Sequence, residues 1–214
     1  MQILVTGSAG HLGEALVLAL RDAGHRVRGL DRLPSPTTDL LGSITDADVV
    51  ARAVAGVDAV VHTATLHKPH VATHPRQAFV DTNVTGTLQL LEAAVRAGCP
   101  RFVFTSTTST FGRALTPPPG EPAAWITEAV TPVPKNIYGV TKTAAEDLCA
   151  LFHRDHGLAC VVLRTSRFFP EDDDDPAARA RASADNLKAN EFLYRRVELA
   201  DAVAAHVAAL DRAD

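Results

Sequence analysis

The sequence predicts an α/β fold, a doubly wound parallel sheet with helices on both faces, and three observations predict it. Short apolar runs rich in β-branched residues alternate with stretches of helical periodicity. A glycine-rich turn joins the first run to the first helix. Gly24, Gly56, Gly98 and Gly157 each stand where a helix must stop. Such alternation lays consecutive strands parallel and uses the connecting helices as cover.

The elements follow in order. Residues 3–6 form a strand, and Leu12, Leu16 and Leu20 recur at helical spacing up to Gly24. Residues 25–30 form a second strand that ends at Asp31. Two prolines make residues 33–43 a loop, after which Asp46 caps a helix running through Ala55. Residues 57–61 are the third strand, 75–97 a helix and 101–106 the fourth strand. A proline-rich stretch, 113–135, is too long for a simple connection and suggests a functional loop. Residues 138–156 are helical and 158–163 a strand. The acidic, then Arg- and Ala-rich residues 170–184 are expected to face solvent, followed by a strand over 193–199 and a helix over 201–210.

Composition removes several classes of function. With 46% hydrophobic residues in 214, there is enough apolar surface to fold around a core, which excludes disorder as the main state. No run of about 20 apolar residues spans a membrane. The opening Met1-Gln2-Ile3-Leu4-Val5-Thr6-Gly7 lacks a basic leader segment and is not a secretory signal. A net charge of −4 with no basic block argues against nucleic-acid binding. Cys99, Cys149 and Cys160 form no CxxC pair and fit free thiols in a reducing, cytoplasmic setting.

The turn Gly7-Ser8-Ala9-Gly10-His11-Leu12-Gly13 carries the first chemistry. Glycines at this spacing let the turn be tight, let backbone approach a pyrophosphate and let the helix pack close to the strand. The helix N-terminus then offers free amides and a positive dipole end to phosphate. Asp31, 18 residues beyond Gly13, can accept from both ribose hydroxyls of NAD and would repel the 2′-phosphate of NADP. Arg32 could pair with that phosphate, so NAD is favoured and NADP stays open.

Tyr138 and Lys142 stand at i and i+4, on one helix face. A phenol is a poor base near neutrality, and a neighbouring ammonium favours the phenolate. Between the glycine turn and this pair lies Thr105-Ser106-Thr107-Thr108-Ser109-Thr110, hydroxyls leaving a strand at its C-terminal end, where open α/β sheets bind ligands.

These motifs, with Asn83-Val84-Thr85-Gly86-Thr87, Phe111-Gly112 and Leu163-Arg164, resemble in their order the extended short-chain dehydrogenase/reductases, the NAD-dependent epimerase/dehydratase family. The resemblance covers residues 1 to about 170 and again about 194–210. It implies a Rossmann fold with Tyr138 as acid/base, Lys142 holding the ribose and tuning Tyr138, and Thr107 as the catalytic hydroxyl. It places Ser43 and Ile44 at the adenine, with Ser43 where many relatives carry Asp. Thr63, Ala64 and Thr65 would run along the cofactor, Asn83 would line its site, and Ser166 would fall beside the nicotinamide. It implies an NAD-binding domain over 1–170, with 171–214 as a reduced substrate lobe returning to the sheet. Helices 75–97 and 138–156 would form a homodimer seam.

The implied activity is NAD-dependent oxidation, reduction or epimerisation of an alcohol or carbonyl, in a sugar or nucleotide-sugar. Thr107-Thr108-Ser109 supplies no carboxylate, which sets dehydration behind the other two. The alternative is a non-catalytic dinucleotide sensor or truncated binding module. His62, His67, His70 and His74 lack the spacing and partners of a metal site; His67 could instead face phosphate or substrate. The acidic run 171–175 lacks the pattern of a calcium loop. Arg164 and Arg167 could meet an anionic substrate or pair with that run. Glu128 and Trp125 belong to a loop expected to cover the substrate.

Overall fold

The computed structural model describes residues 1–167 and 196–212. Six parallel strands form one sheet in the order β3-β2-β1-β4-β5-β6. They are β1 (Gln2–Thr6), β2 (Arg26–Asp31), β3 (Leu40–Leu41), β4 (Ala59–His62), β5 (Arg101–Thr107) and β6 (Ala159–Thr165). Alternation along β1 builds two cores. Leu4 packs with Val49, Leu90, Phe102 and Phe152 beneath helices α2 (Ala47–Val54), α4 (Gly86–Arg96) and α5 (Ile137–His156). Ile3 and Val5 point to the other face, where α1 (His11–Asp22) and α6 (Leu199–Arg212) bury Leu16, Leu20 and Leu210.

Two of the caps that set these helices, Asp46 and Gly157, are those the sequence suggests, and Asn136 is added by the structure. The Asp46 side chain accepts from the amides of Asp48 and Val49 to open α2, and Asn136 accepts from Gly139 to open α5. Gly157 takes the left-handed conformation that ends α5.

Three expectations change. The 33–43 loop contains β3, a two-residue edge strand beside Leu30 and Asp31. The helix expected over 75–97 is split: α3 (Arg76–Phe79) leads into a π-helical turn, Val80–Thr85, before α4. Periodicity missed this because a wide turn needs no special residue; what it does is seat Asn83, described below. In place of a strand over 193–199, Arg196 makes an isolated bridge with Arg167, and Leu199 already begins α6; residues 193–195 and the 170–184 segment lie outside the described residues. Helix α6 returns to the sheet against α1, β5 and β6, where His206 bonds Thr105 Oγ1 at 2.7 Å.

Candidate active site

Strand order reverses between β1 and β4, the place where a doubly wound sheet opens a crevice at its C-terminal edge. A cleft of about 1300 Å³ lies there. It runs from Asp31, Arg32, Ser43 and Ile44 across the glycine turn to Thr107 and Tyr138.

The glycine turn is shaped by contacts that only glycine permits. Gly7 has a φ of 75°, and a Cβ there would meet the amide of Ala64 at 2.8 Å. A Cβ on Gly13 would lie 1.9 Å from the Gly7 carbonyl. The bare backbone lets α1 start directly beneath the cleft, with Gly10 extended and His11 and Leu12 on its wall. Asp31 braces this turn: one carboxylate oxygen accepts from Ala9 N at 3.0 Å, the other from Leu33 N at 2.9 Å.

Thr63, Ala64 and Thr65 leave β4 and line the cleft, as does Ser166 after β6. Asn83 departs from its expected place. It is buried behind the wall, where Oδ1 accepts from Leu66 N at 2.8 Å and Thr65 Oγ1 at 2.9 Å. Its Nδ2 donates to Leu66 O at 2.9 Å and Thr141 Oγ1 at 3.1 Å. The π turn aims this side chain at the loop, so Asn83 holds the cleft wall and does not line it.

At the far end, Tyr138 and Thr107 both line the cleft. Burial is the larger influence on the phenol and raises the Tyr138 pKa above its ordinary value, and the neighbouring Thr107 hydroxyl opposes it. The ammonium of Lys142 is not among the influences on that phenol. Lys142 is fully buried, donates to Thr105 O at 2.6 Å and sits 3.8 Å from the centre of the Phe104 ring. Burial lowers its pKa to about 7, against the upward pull of Cys149 and Glu146. The lysine is thus set one layer deeper than the phenol, with its ammonium on the strand backbone.

The neighbouring hydroxyls have structural partners. Thr110 donates to Thr107 O, Thr105 meets His206, and Ser106 donates to the Glu146 carboxylate. Arg164, which the sequence offers to an anionic substrate or to the acidic run, pairs with Glu146 through Nη2 at 2.7 Å and Nε at 3.1 Å. That run lies outside the described residues. Glu146 was not singled out by sequence reasoning, although it stands one further i+4 step from Lys142.

His67 and His70 line the cleft and stack at 4.2 Å, with His67 N donating to His70 Nδ1. Burial lowers the His67 pKa to about 4, so the ring is neutral at pH 7. His62 instead belongs to the core, bonded to Thr6 and Thr87. Among the described residues no three side chains converge as a metal site. Trp125 is 86% exposed, and neither it nor Glu128 lines the cleft. Cys99 and Cys149 are buried and Cys160 half-buried, all three free. No helix among the described residues is long and apolar enough to cross a membrane.

Known proteins are similar to this chain in sequence and in fold. The family described as "NAD dependent epimerase/dehydratase family" matches residues 3–213. A 3 beta-hydroxysteroid dehydrogenase/Delta 5-->4-isomerase of Mycobacterium tuberculosis is 37% identical over 175 residues, which cover 77% of this chain and 46% of that one. A dTDP-glucose 4,6-dehydratase of Streptomyces niveus is 38% identical over 192 residues, 79% of this chain and 55% of the other. A short-chain dehydrogenase/reductase superfamily protein from Agrobacterium tumefaciens, solved with bound NAD, superposes with a TM-score of 0.70 at 36% identity, over 79% of this chain and 50% of that one. The Thermus thermophilus UDP-glucose 4-epimerase complex with NAD gives 0.68 at 29% identity, over 80% and 58%. The chain spans about half the length of the curated relatives it matches.

Proposed function

Because the chain belongs to the NAD-dependent epimerase/dehydratase family, we propose that it binds NAD and oxidises, reduces or epimerises an alcohol or carbonyl of a sugar or nucleotide-sugar. The observation that carries this reading is a single cleft that begins at the glycine turn and is lined at its other end by Tyr138 and Thr107.

The residues present fit the dinucleotide. The cradle at Gly7 and Gly13 is one that a Cβ would fill, and the amides opening α1 face it with the positive end of the helix dipole. Asp31 keeps lone pairs for ribose hydroxyls while bracing the turn. Ser43 and Ile44 would flank the adenine, and Thr63, Ala64, Thr65 and Ser166 would border the rest.

When bound, NAD supplies the hydride acceptor or donor. Tyr138 Oη moves the proton, taking it from a substrate hydroxyl or returning it to a carbonyl. Thr107 Oγ steadies the same substrate oxygen. Lys142 lies on the Tyr138 face of α5, where its ammonium would hold the ribose and favour the phenolate on leaving Thr105 O. The carboxylate-free Thr107-Thr108-Ser109 favours dehydrogenase or epimerase chemistry over dehydration.

Titration of the purified chain with NADH and NADPH, followed by nucleotide fluorescence, tests the reading. Saturable binding that prefers NADH is expected, and binding of neither nucleotide would refute it. We further propose a homodimer through α4 and α5, where Val140 and Leu151 are exposed; light scattering at micromolar concentration should give twice the chain mass.

A further inference from the structure

We propose that Glu146 is a positioning residue of this site, clamping the strand end that presents Thr107 and holding a negative charge behind Lys142. The geometry is a ladder between one strand and one helix. Tyr138, Lys142 and Glu146 step along α5 at i, i+4 and i+8, all buried. Two of them are tied to neighbouring residues at the end of β5, Lys142 to the Thr105 carbonyl and Glu146 to the Ser106 hydroxyl, and Tyr138 lines the cleft together with Thr107, the next residue of that strand. Ser106 is held from its other side too, since its carbonyl accepts from Thr165 Oγ1 at 3.0 Å.

A buried carboxylate needs compensation, and Arg164 supplies it in a forked contact from β6. Arg164 is itself pinned 4.9 Å from the centre of the Phe111 ring. The guanidinium thus approaches Glu146 from the strand side, and the ammonium of Lys142 lies one helical turn away. The carboxylate opposes the burial that otherwise pulls the lysine toward neutrality. Without it, Lys142 would shed its proton at lower pH and Ser106 would lose its anchor.

The inference uses the reading above only for its effect on turnover, so the test includes a measurement independent of activity. In the full chain carrying ¹³C-labelled lysine, the Lys142 resonance, assigned with Lys142→Arg, is titrated by NMR. In Glu146→Gln its midpoint should fall by about half a pH unit or more, while Arg164→Lys, which keeps both charges, should leave it close to wild type. Glu146→Asp, the milder change, should shift it in the same direction by less, which serves if Glu146→Gln does not fold. NADH binding, where wild type shows it, should fail at lower pH in Glu146→Gln than in wild type. An unchanged Lys142 midpoint in the Glu146 variants, with only a lowered melting temperature, would overturn the proposal and leave a plain structural pair. Failure of wild type to bind NADH would instead refute the functional reading, and the lysine titration would still decide this one.

Discussion

The two ends of the cleft are built from different materials. At the glycine turn the surface is backbone: bare Cα atoms, amides opening α1 and one carboxylate, Asp31, bonded to main-chain N–H groups. At the Tyr138 end the surface is side chain, held by other side chains through the Ser106–Glu146 and Glu146–Arg164 contacts. A backbone site tolerates almost no added atom but depends on few partners. A side-chain site survives small changes of shape but depends on the charge state of groups behind it.

That contrast orders the expected effects of mutation. Gly13→Ala should be the most damaging, because its Cβ would fall inside the Gly7 carbonyl and neither backbone can yield. We expect loss of NADH binding and a stability cost above about 3 kcal/mol, read by fluorescence and by urea unfolding. Retained NADH binding in this variant would break the comparison at its first term.

Tyr138→Phe should act at the other end only. Turnover on any substrate the wild type accepts should drop about 10²–10⁴-fold, since one proton-transfer group is removed. NADH affinity should stay within about a few-fold, because the phenol lies at the Thr107 end of the cleft and not at the phosphate cradle. Equal activity of the variant would remove the proposed role of Tyr138.

Asp31→Ala is the smallest change and sharpens the boundary between the two kinds of site, because Asp31 is a side chain in the backbone half. NADH affinity should weaken about tenfold and the preference over NADPH should relax. An unchanged nucleotide preference would mean that its carboxylate serves only Ala9 and Leu33.

The same division explains what could be seen in the sequence. Glycines, strand runs and helix stops are local, so the sheet, the cradle and the Gly157 cap were legible. Tyr138 and Thr107 were legible as types at the right places. Asn83 was found but misassigned, because a residue's number does not tell which side of a loop it supports. The role of Glu146 required a contact between helix and strand 40 residues apart, and the pairing of Arg164 required knowing that contact first. For Trp125 only a residue type and a loop were legible: an aromatic in a long stretch suggested a cover, and the structure closes that stretch at Gly112 and Val133 with Trp125 exposed.

The π turn at Val80–Thr85 sets a phase relation between the two parts of its helix. Each residue of an α-helix advances the face by about 100°. A single deletion within this turn could restore ordinary winding, but one part would then have to rotate against the other. Either Phe79 would leave the pocket it shares with Leu66 and Tyr138, or Leu90, Leu91 and Ala94 would turn out of the core. The segment is therefore intolerant of length change while its surface positions can vary in kind, and shortened variants of this helix should be rarer than substituted ones.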